Sequence, residues 1–238
     1  MSDFLLNLIV QATLYALVFL SVVTWGVILA KSVQHWRVSR QDKQFARQFW
    51  SAPNLEAAAN LASDSSPKAR LAKAGFGALV EGANDASDLE HSWDRQELLE
   101  RHLHQQIQHE RHALESGLAV LASIGSTAPF VGLFGTVFGI IHAMSSISKS
   151  ASASIDVVAG PIGEALVATG VGIAVAVPAV LAYNFFLRRL KVLGADFDSY
   201  ATDLVNLAQK RGFRIQAVQL HAVQKKSGTA DVKKEVFA

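Results

Sequence analysis

Glu164 is the residue in this chain best placed to do chemistry. It stands near the start of Gly160–Pro178, a small-residue and apolar run that continues to Leu187 with no other charge. No Lys or Arg lies within the run to neutralise it. An acidic side chain in a membrane span costs roughly 2.5–3.5 kcal/mol on insertion scales, and by default it marks a functional site. A carboxyl held there can load and release protons. Two hydroxyls, Thr136 and Thr169, lie in neighbouring apolar sequence and could line a polar path with it; the plainer reading is that each bonds back to its own helix carbonyl. His142 could relay protons in the same region, but reads better as an interfacial residue.

The depth of Glu164 depends on how it is counted. From Arg188 back to Glu164 is roughly 36 Å of helix, which puts the carboxylate at a membrane edge. Measured from Ser150, at the centre of a Ser-rich turn, Thr136 and Glu164 are equidistant. An antiparallel hairpin then sets them level, some turns inside the bilayer. Gly160, Glu164, Ala168, Gly172 and Ala176 recur at every fourth position and form a slowly turning ridge of small residues. Gly132, Gly135 and Gly139 offer a similar close approach in the preceding apolar segment. Three spans alone cannot easily enclose a carboxylate from lipid, so the ridge predicts self-association or a partner helix.

Composition narrows the alternatives. Of 238 residues, 50% are hydrophobic and 18% charged, and the apolar residues fall into three blocks. That pattern reads as membrane spans joined to helical extensions. A net charge of +2 does not suggest a nucleic-acid surface. With no cysteine there is no disulfide framework and no thiol chemistry. His91, His102, His104, His109 and His112 have no accompanying Cys and no metalloprotease spacing, so they read as a solvated face and not a metal site. Without a nucleophile–base set, neither an enzyme nor a cofactor is expected.

The elements that must position Glu164 follow from the charge pattern. Residues 1–30 form a first transmembrane helix, charge-free from Phe4 to Ala30 and too long and too acidic at its start for a cleaved signal peptide. Lys31, Arg37, Arg40, Lys43 and Arg47 follow, which places that end in the cytoplasm and the N-terminus in the periplasm. Residues 31–116 form a cytoplasmic helical insert. Pro-containing breaks at Ser51–Asn54 and Asp64–Lys68 predict short helices over 54–62 and 67–83. A stripe of Leu99, Leu103, Ile107, Leu114, Leu118 and Leu121 predicts one helix running from about Asp88 straight into a second span, 117–148, with a kink at Pro129. A periplasmic turn, 149–156, leads to a third span, 157–187, closed by Arg188, Arg189 and Lys191. Residues 188–224 extend that helix through the stripe Leu190, Leu193, Phe197, Tyr200, Leu204 and Leu207, and 225–238 is a disordered tail. The fold class is thus an all-α membrane protein with three transmembrane helices, long cytoplasmic helical extensions, a periplasmic N-terminus and a cytoplasmic C-terminus.

Two motifs together resemble the proton-channel family of ExbB, TolQ and MotA: Gly132-Leu-Phe-Gly-Thr-Val-Phe-Gly-Ile and Gly163-Glu-Ala-Leu-Val-Ala-Thr-Gly-Val-Gly-Ile. Ser21-Val-Val-Thr-Trp-Gly followed by Lys31-Ser-Val is most similar to the ExbB members. One departure is Gly160-Pro-Ile-Gly-Glu, where the family pattern is Pro-Gly-Ile-Ala-Glu; the Glu is kept. The resemblance implies a multi-pass protein of a Gram-negative inner membrane that assembles as a ring, generally five-fold. The ring would surround the single transmembrane helices of ExbD in membrane lipid. With TonB it would use proton motive force to energise outer-membrane uptake of siderophores and vitamin B12. It further implies that Glu164 matches the channel glutamate and that Thr136 and Thr169 match the pore threonines. Two other readings remain open: a TolQ-like subunit for envelope integrity, and a non-conducting membrane scaffold.

Overall fold

A computed structural model describes residues 3–84, 95–149 and 155–210, with side chains from 4 to 80, 95 to 146 and 158 to 210. All regular structure among them is α-helical: α1 (Asp3–Trp50), α2 (Leu55–Leu61), α3 (Pro67–Asn84), α4 (Arg95–Glu115), α5 (Leu118–Lys149) and α6 (Ile155–Lys210). α1, α5 and α6 are each long and apolar enough to cross a membrane. The expectations for His91, for the helix start near Asp88, for residues 150–154 of the turn at 149–156 and for everything beyond Lys210 lie outside the described residues.

The chain forms two compact units. Among the described residues, an apolar unit falls within 1–34 and 115–190 and a charged unit within 35–114 and 191–238. In the apolar unit, Leu17 of α1 packs with Ile124 and Ala128 of α5 and with Val175, Ala176 and Ala179 of α6. A second cluster joins Leu118, Leu121 and Phe186, with Val27 and Ile28 of α1 against it. Much of the remaining apolar surface is exposed, including Tyr15, Phe19, Trp25, Phe130, Met144, Leu166 and Phe185. In a chain of this composition, such surface is matched to lipid or to neighbouring helices.

The charged unit has a conventional buried core. Leu99, Leu103, Ile107 and Leu114 of α4 are buried, as are Leu190, Leu193, Phe197, Tyr200 and Leu204 of α6, so the stripe spacing identified the buried faces as far as Leu204, and Leu207 is half-buried. Phe45, Phe49, Phe76 and Tyr200 form an aromatic cluster, with Phe49 and Tyr200 edge-on at 5.6 Å. α2 begins where the Asn54 side chain accepts from the Ala57 amide at 2.7 Å. α3 begins at Pro67, whose missing N–H costs nothing in the first turn, with Ser66 accepting from the Ala69 amide at 3.3 Å.

One expectation needs correction. The unbroken helix expected from about Asp88 into the second span is two helices, because the chain reverses hand at Gly117, where φ is +81°. Only glycine adopts that conformation without a Cβ penalty. α5 continues as helix through Pro129, and Pro161 and Pro178 likewise lie inside α6.

Candidate functional site: a hydroxyl pair on a glycine seam

The site is built on the α5–α6 seam of the apolar unit. Gly125, Gly132 and Gly139 recur every seventh residue along α5, so they stay on one side of the helix. A Cβ at Gly132 would stand 2.7 Å from the Ala168 carbonyl oxygen and 3.1–3.2 Å from the Cα atoms of Thr169 and Gly172. On the opposing helix, a Cβ at Gly172 would meet the Ala128 carbonyl at 2.7 Å. Those neighbours are backbone and cannot step aside, so glycine at both positions sets the interhelical distance. Gly139 abuts Ala165, and Gly125 abuts Val180. Gly135 is turned partly towards α1, where its Cβ would meet Thr13 Oγ1 at 2.8 Å.

This close approach brings two hydroxyls together. Thr136 of α5 and Thr169 of α6 are half-buried, and their Oγ1 atoms are in direct hydrogen-bond contact. Thr136 Oγ1 also lies 3.2 Å from the Gly132 carbonyl and 3.1 Å from the Ala165 carbonyl. A hydroxyl has a single proton to donate. If Thr169 donates to Thr136, Thr136 donates onward to a carbonyl, and the pair is an ordered two-member chain. The plain reading, each Thr bonded only within its own helix, accounts for the Gly132 contact but not for the contacts across the seam.

The contact with the Ala165 carbonyl also fixes the register. Thr136 sits level with the residue next to Glu164, as the equal distances from Ser150 require. Glu164 itself is exposed, one position from the buried Ala165. Its carboxylate therefore lies on a face of the three-helix unit that the described residues do not cover.

The predicted small-residue ridge is divided. Ala168, Gly172 and Ala176 are buried in the seam, whereas Gly160 and Glu164 are exposed, and a Cβ at Gly160 would meet nothing within 4 Å. Four residues advance about 400° around a helix, so an every-fourth series turns by about 40° per step and leaves the seam after two or three steps. Two groups were missed by sequence reasoning. The Ala165 carbonyl, which Thr136 Oγ1 meets across the seam, had no signal in side-chain identity, although it lies four residues before Thr169. Thr13, buried on α1 and bonded to the Val10 carbonyl at 2.7 Å, was visible only as a hydroxyl in an apolar run.

Other candidates are not drawn in. His142 is half-buried on α5, and Ser146 donates to its carbonyl at 3.0 Å. In the charged unit His104, His109 and His112 are exposed and His102 is half-buried. Among the described residues, no three His, Cys, Asp or Glu side chains converge on a point that could hold a metal ion.

Comparison with known proteins places this geometry. A profile of the MotA/TolQ/ExbB proton channel family matches residues 63–199. The chain is 36% identical over 208 residues to the biopolymer transport protein ExbB of Xanthomonas campestris pv. campestris, covering 85% of this chain and 81% of that one. It is 38% identical over 197 residues to the ExbB of Neisseria meningitidis serogroup A, covering 79% and 86%. It is 26% identical over 211 residues to the Tol-Pal system protein TolQ of Haemophilus influenzae, covering 87% and 92%. The matched stretch holds both glycine-rich helices and the hydroxyl pair between them, and on that evidence the chain belongs to the MotA/TolQ/ExbB proton channel family.

Proposed function

We propose that this chain is a proton-conducting subunit of an energy-transducing complex in the bacterial inner membrane. In this reading several copies, five in the expected ring, enclose the transmembrane helices of an ExbD-type partner. The ring passes the energy of proton entry to a TonB-type protein for outer-membrane uptake of siderophores and vitamin B12. No covalent bond is made or broken, so the chain acts as a channel and motor part and not as an enzyme.

The observation that carries this reading is the Thr136–Thr169 hydroxyl chain, level with Ala165, the residue that follows the exposed Glu164, in otherwise apolar helices. Hydroxyls accept and donate in turn, so an ordered pair can orient a proton or a water beside a carboxyl. Glu164 is exposed among the described residues, and a carboxylate facing hydrocarbon is costly. A second copy or a partner helix must therefore complete the site. In the proposed complex, protons enter from the periplasmic side, neutralise the partner's membrane-embedded acid near the two threonines, and leave towards the cytoplasm.

The test is Glu164→Ala. Because the side chain is exposed, its loss should leave folding and ring assembly intact while abolishing energised iron–siderophore uptake. Normal uptake in that variant would overturn the proposal. The likeness to TolQ keeps a second reading in play, in which the same machinery serves envelope integrity. Copurification with an ExbD-type or a TolR-type partner separates the two, and mass measurement of the intact complex gives the copy number.

A further inference from the structure

The charged unit holds a buried carboxylate that the channel reading does not use. Asp42 lies on α1, well past the charge-free stretch, and is only 3% exposed. Its Oδ1 accepts from the Lys68 amide at 3.0 Å. Lys68 is the second residue of α3, so a side chain of α1 caps the first turn of α3. Its other oxygen, Oδ2, is buried without a hydrogen-bond partner.

Several groups face this carboxylate. From α3 comes the Lys68 ammonium, which is held by Asp196 at 2.8 Å and lies over the Tyr200 ring at 5.6 Å. Arg70, two residues further along α3, also feels the charge of Asp42, but its guanidinium is committed to Glu110 of α4. From α6 come Asp196, a like charge, and the buried Tyr200 hydroxyl, which has no hydrogen-bond partner. The Ser66 hydroxyl lies at the start of α3. The Lys68 and Arg70 cations are therefore already paired with other acids, and Oδ2 is buried without a hydrogen-bond partner, although the Ser66 hydroxyl lies near the carboxylate.

We propose that Asp42 is a proton-binding site: a proton taken up on Oδ2 tightens the attachment of the first turn of α3 to α1. In the neutral form Oδ1 still accepts from the Lys68 amide, and no unpaired negative charge is left inside the unit. In the ionised form the hydrogen bond from the Lys68 amide is kept, but a charge must be buried beside Asp196. The balance agrees with this geometry. Burial raises the Asp42 carboxyl above its ordinary value, and the Lys68 amide, the Ser66 hydroxyl and the Lys68 charge only partly offset it.

The sign of the pH effect follows. A folded pKa above the unfolded one means that the attached state binds the proton more tightly. Attachment is therefore strongest below the ordinary Asp value of 3.8 and weakens as pH rises through the raised folded value. For a single proton, the equilibrium changes by up to about tenfold per pH unit within that window.

Hydrogen–deuterium exchange on the full chain in lipid nanodiscs tests the proposal, with rates corrected for intrinsic pH dependence. Protection of the Lys68, Ala69 and Arg70 amides should fall as pH rises, by up to tenfold per unit within the window. Asp42→Asn keeps the acceptor and cannot titrate, so its protection should not vary with pH. Asp196→Asn removes a like charge and frees Lys68 to face Asp42, so it should move the window to lower pH. This second variant keeps the test open should Asp42→Asn fold poorly. Protection independent of pH in the unaltered chain, the same pH step in Asp42→Asn, or an unmoved window in Asp196→Asn would each overturn the assignment.

Discussion

The two units are held together by different physics. In the apolar unit, the α5–α6 seam rests on small residues whose backbones touch, and its polar groups are hydroxyls and carbonyls. In the charged unit, α3, α4 and α6 are joined by Arg70–Glu110, Lys68–Asp196 and Arg111–Asp198 around an aromatic core. Where water is absent there is little hydrophobic drive between helices, and close backbone packing takes its place. Where water surrounds the fold, burial of Phe and Leu supplies the drive, and ion pairs select the docking geometry. Even glycine differs between them. At Gly132 it is required because a Cβ would strike backbone, whereas at Gly194 it makes room for the Arg111 guanidinium, 2.8–3.0 Å from a would-be Cβ.

Substitutions can break or sharpen this contrast. The largest effect belongs to the seam. Gly132→Val drives a branched side chain into the α6 backbone, and overpacking of this kind costs about 1–3 kcal/mol or more where nothing can yield. Unfolding in mixed micelles should show the loss, and disulfide trapping between cysteines introduced on α5 and α6 should show the helices parted. A thermally unchanged variant would mean that the seam is not as tight as described.

Next in size is the ion pair at Glu110. Its carboxylate is 2% exposed and receives Arg70 at 2.7 and 2.6 Å, with Gln106 at 2.6 Å. Glu110→Ala leaves Arg70 without that partner; since the guanidinium is one-third exposed, water softens the loss to about 2 kcal/mol. The same pair predicts an acid limb. Burial alone would raise the Glu110 carboxyl, but the Arg70 hydrogen bonds and charge outweigh it and hold the pKa below its ordinary value of 4.5. Its contribution is therefore complete above 4.5 and is lost as pH falls through the lower folded value. Glu110→Gln should flatten that limb in a pH series of unfolding midpoints, while the seam, which rests on no carboxylate, should show no such limb.

A smaller structural effect with a large functional one is expected at Thr136. Thr136→Val keeps the shape but removes the hydroxyl between Thr169 and the Ala165 carbonyl, at a cost of about 1 kcal/mol. Proton flux in reconstituted vesicles should drop far more than stability does. Equal, modest losses in both would reduce the hydroxyl chain to a packing feature. Smallest is Gly77→Ala in α3, where a Cβ meets nothing within 4 Å. Relief of backbone entropy should raise stability by about 0.5–1 kcal/mol, the opposite sign to Gly132→Val.

Much of this could be read from residue order. The charge-free runs located the three long apolar helices, and the leucine stripes of α4 and α6 named residues that are buried. Pro and Asn marked the starts of α2 and α3. Gly117 was less legible, because a glycine between two helical patterns looks the same whether φ is negative or positive. Nor could the every-fourth ridge show where it would leave the seam. That depends on where α5 lies against α6, and a drift of about 40° per step is enough to separate Gly160 and Glu164 from Ala168 and Gly172.

The sequence by itself determined which segments can cross a membrane, which faces are apolar, and that one carboxylate lies in an apolar run without a counter-charge. These are properties of composition and period, carried by each segment alone. Only the tertiary structure decided that Thr136 and Thr169 share a hydrogen bond, that Glu164 is left uncovered, and that Asp42 caps a helix it does not belong to. Each of those depends on the distance between segments far apart in the chain. That distance is set by backbone contact at Gly132 and Gly172, and by one buried amide at Lys68, which no single segment encodes.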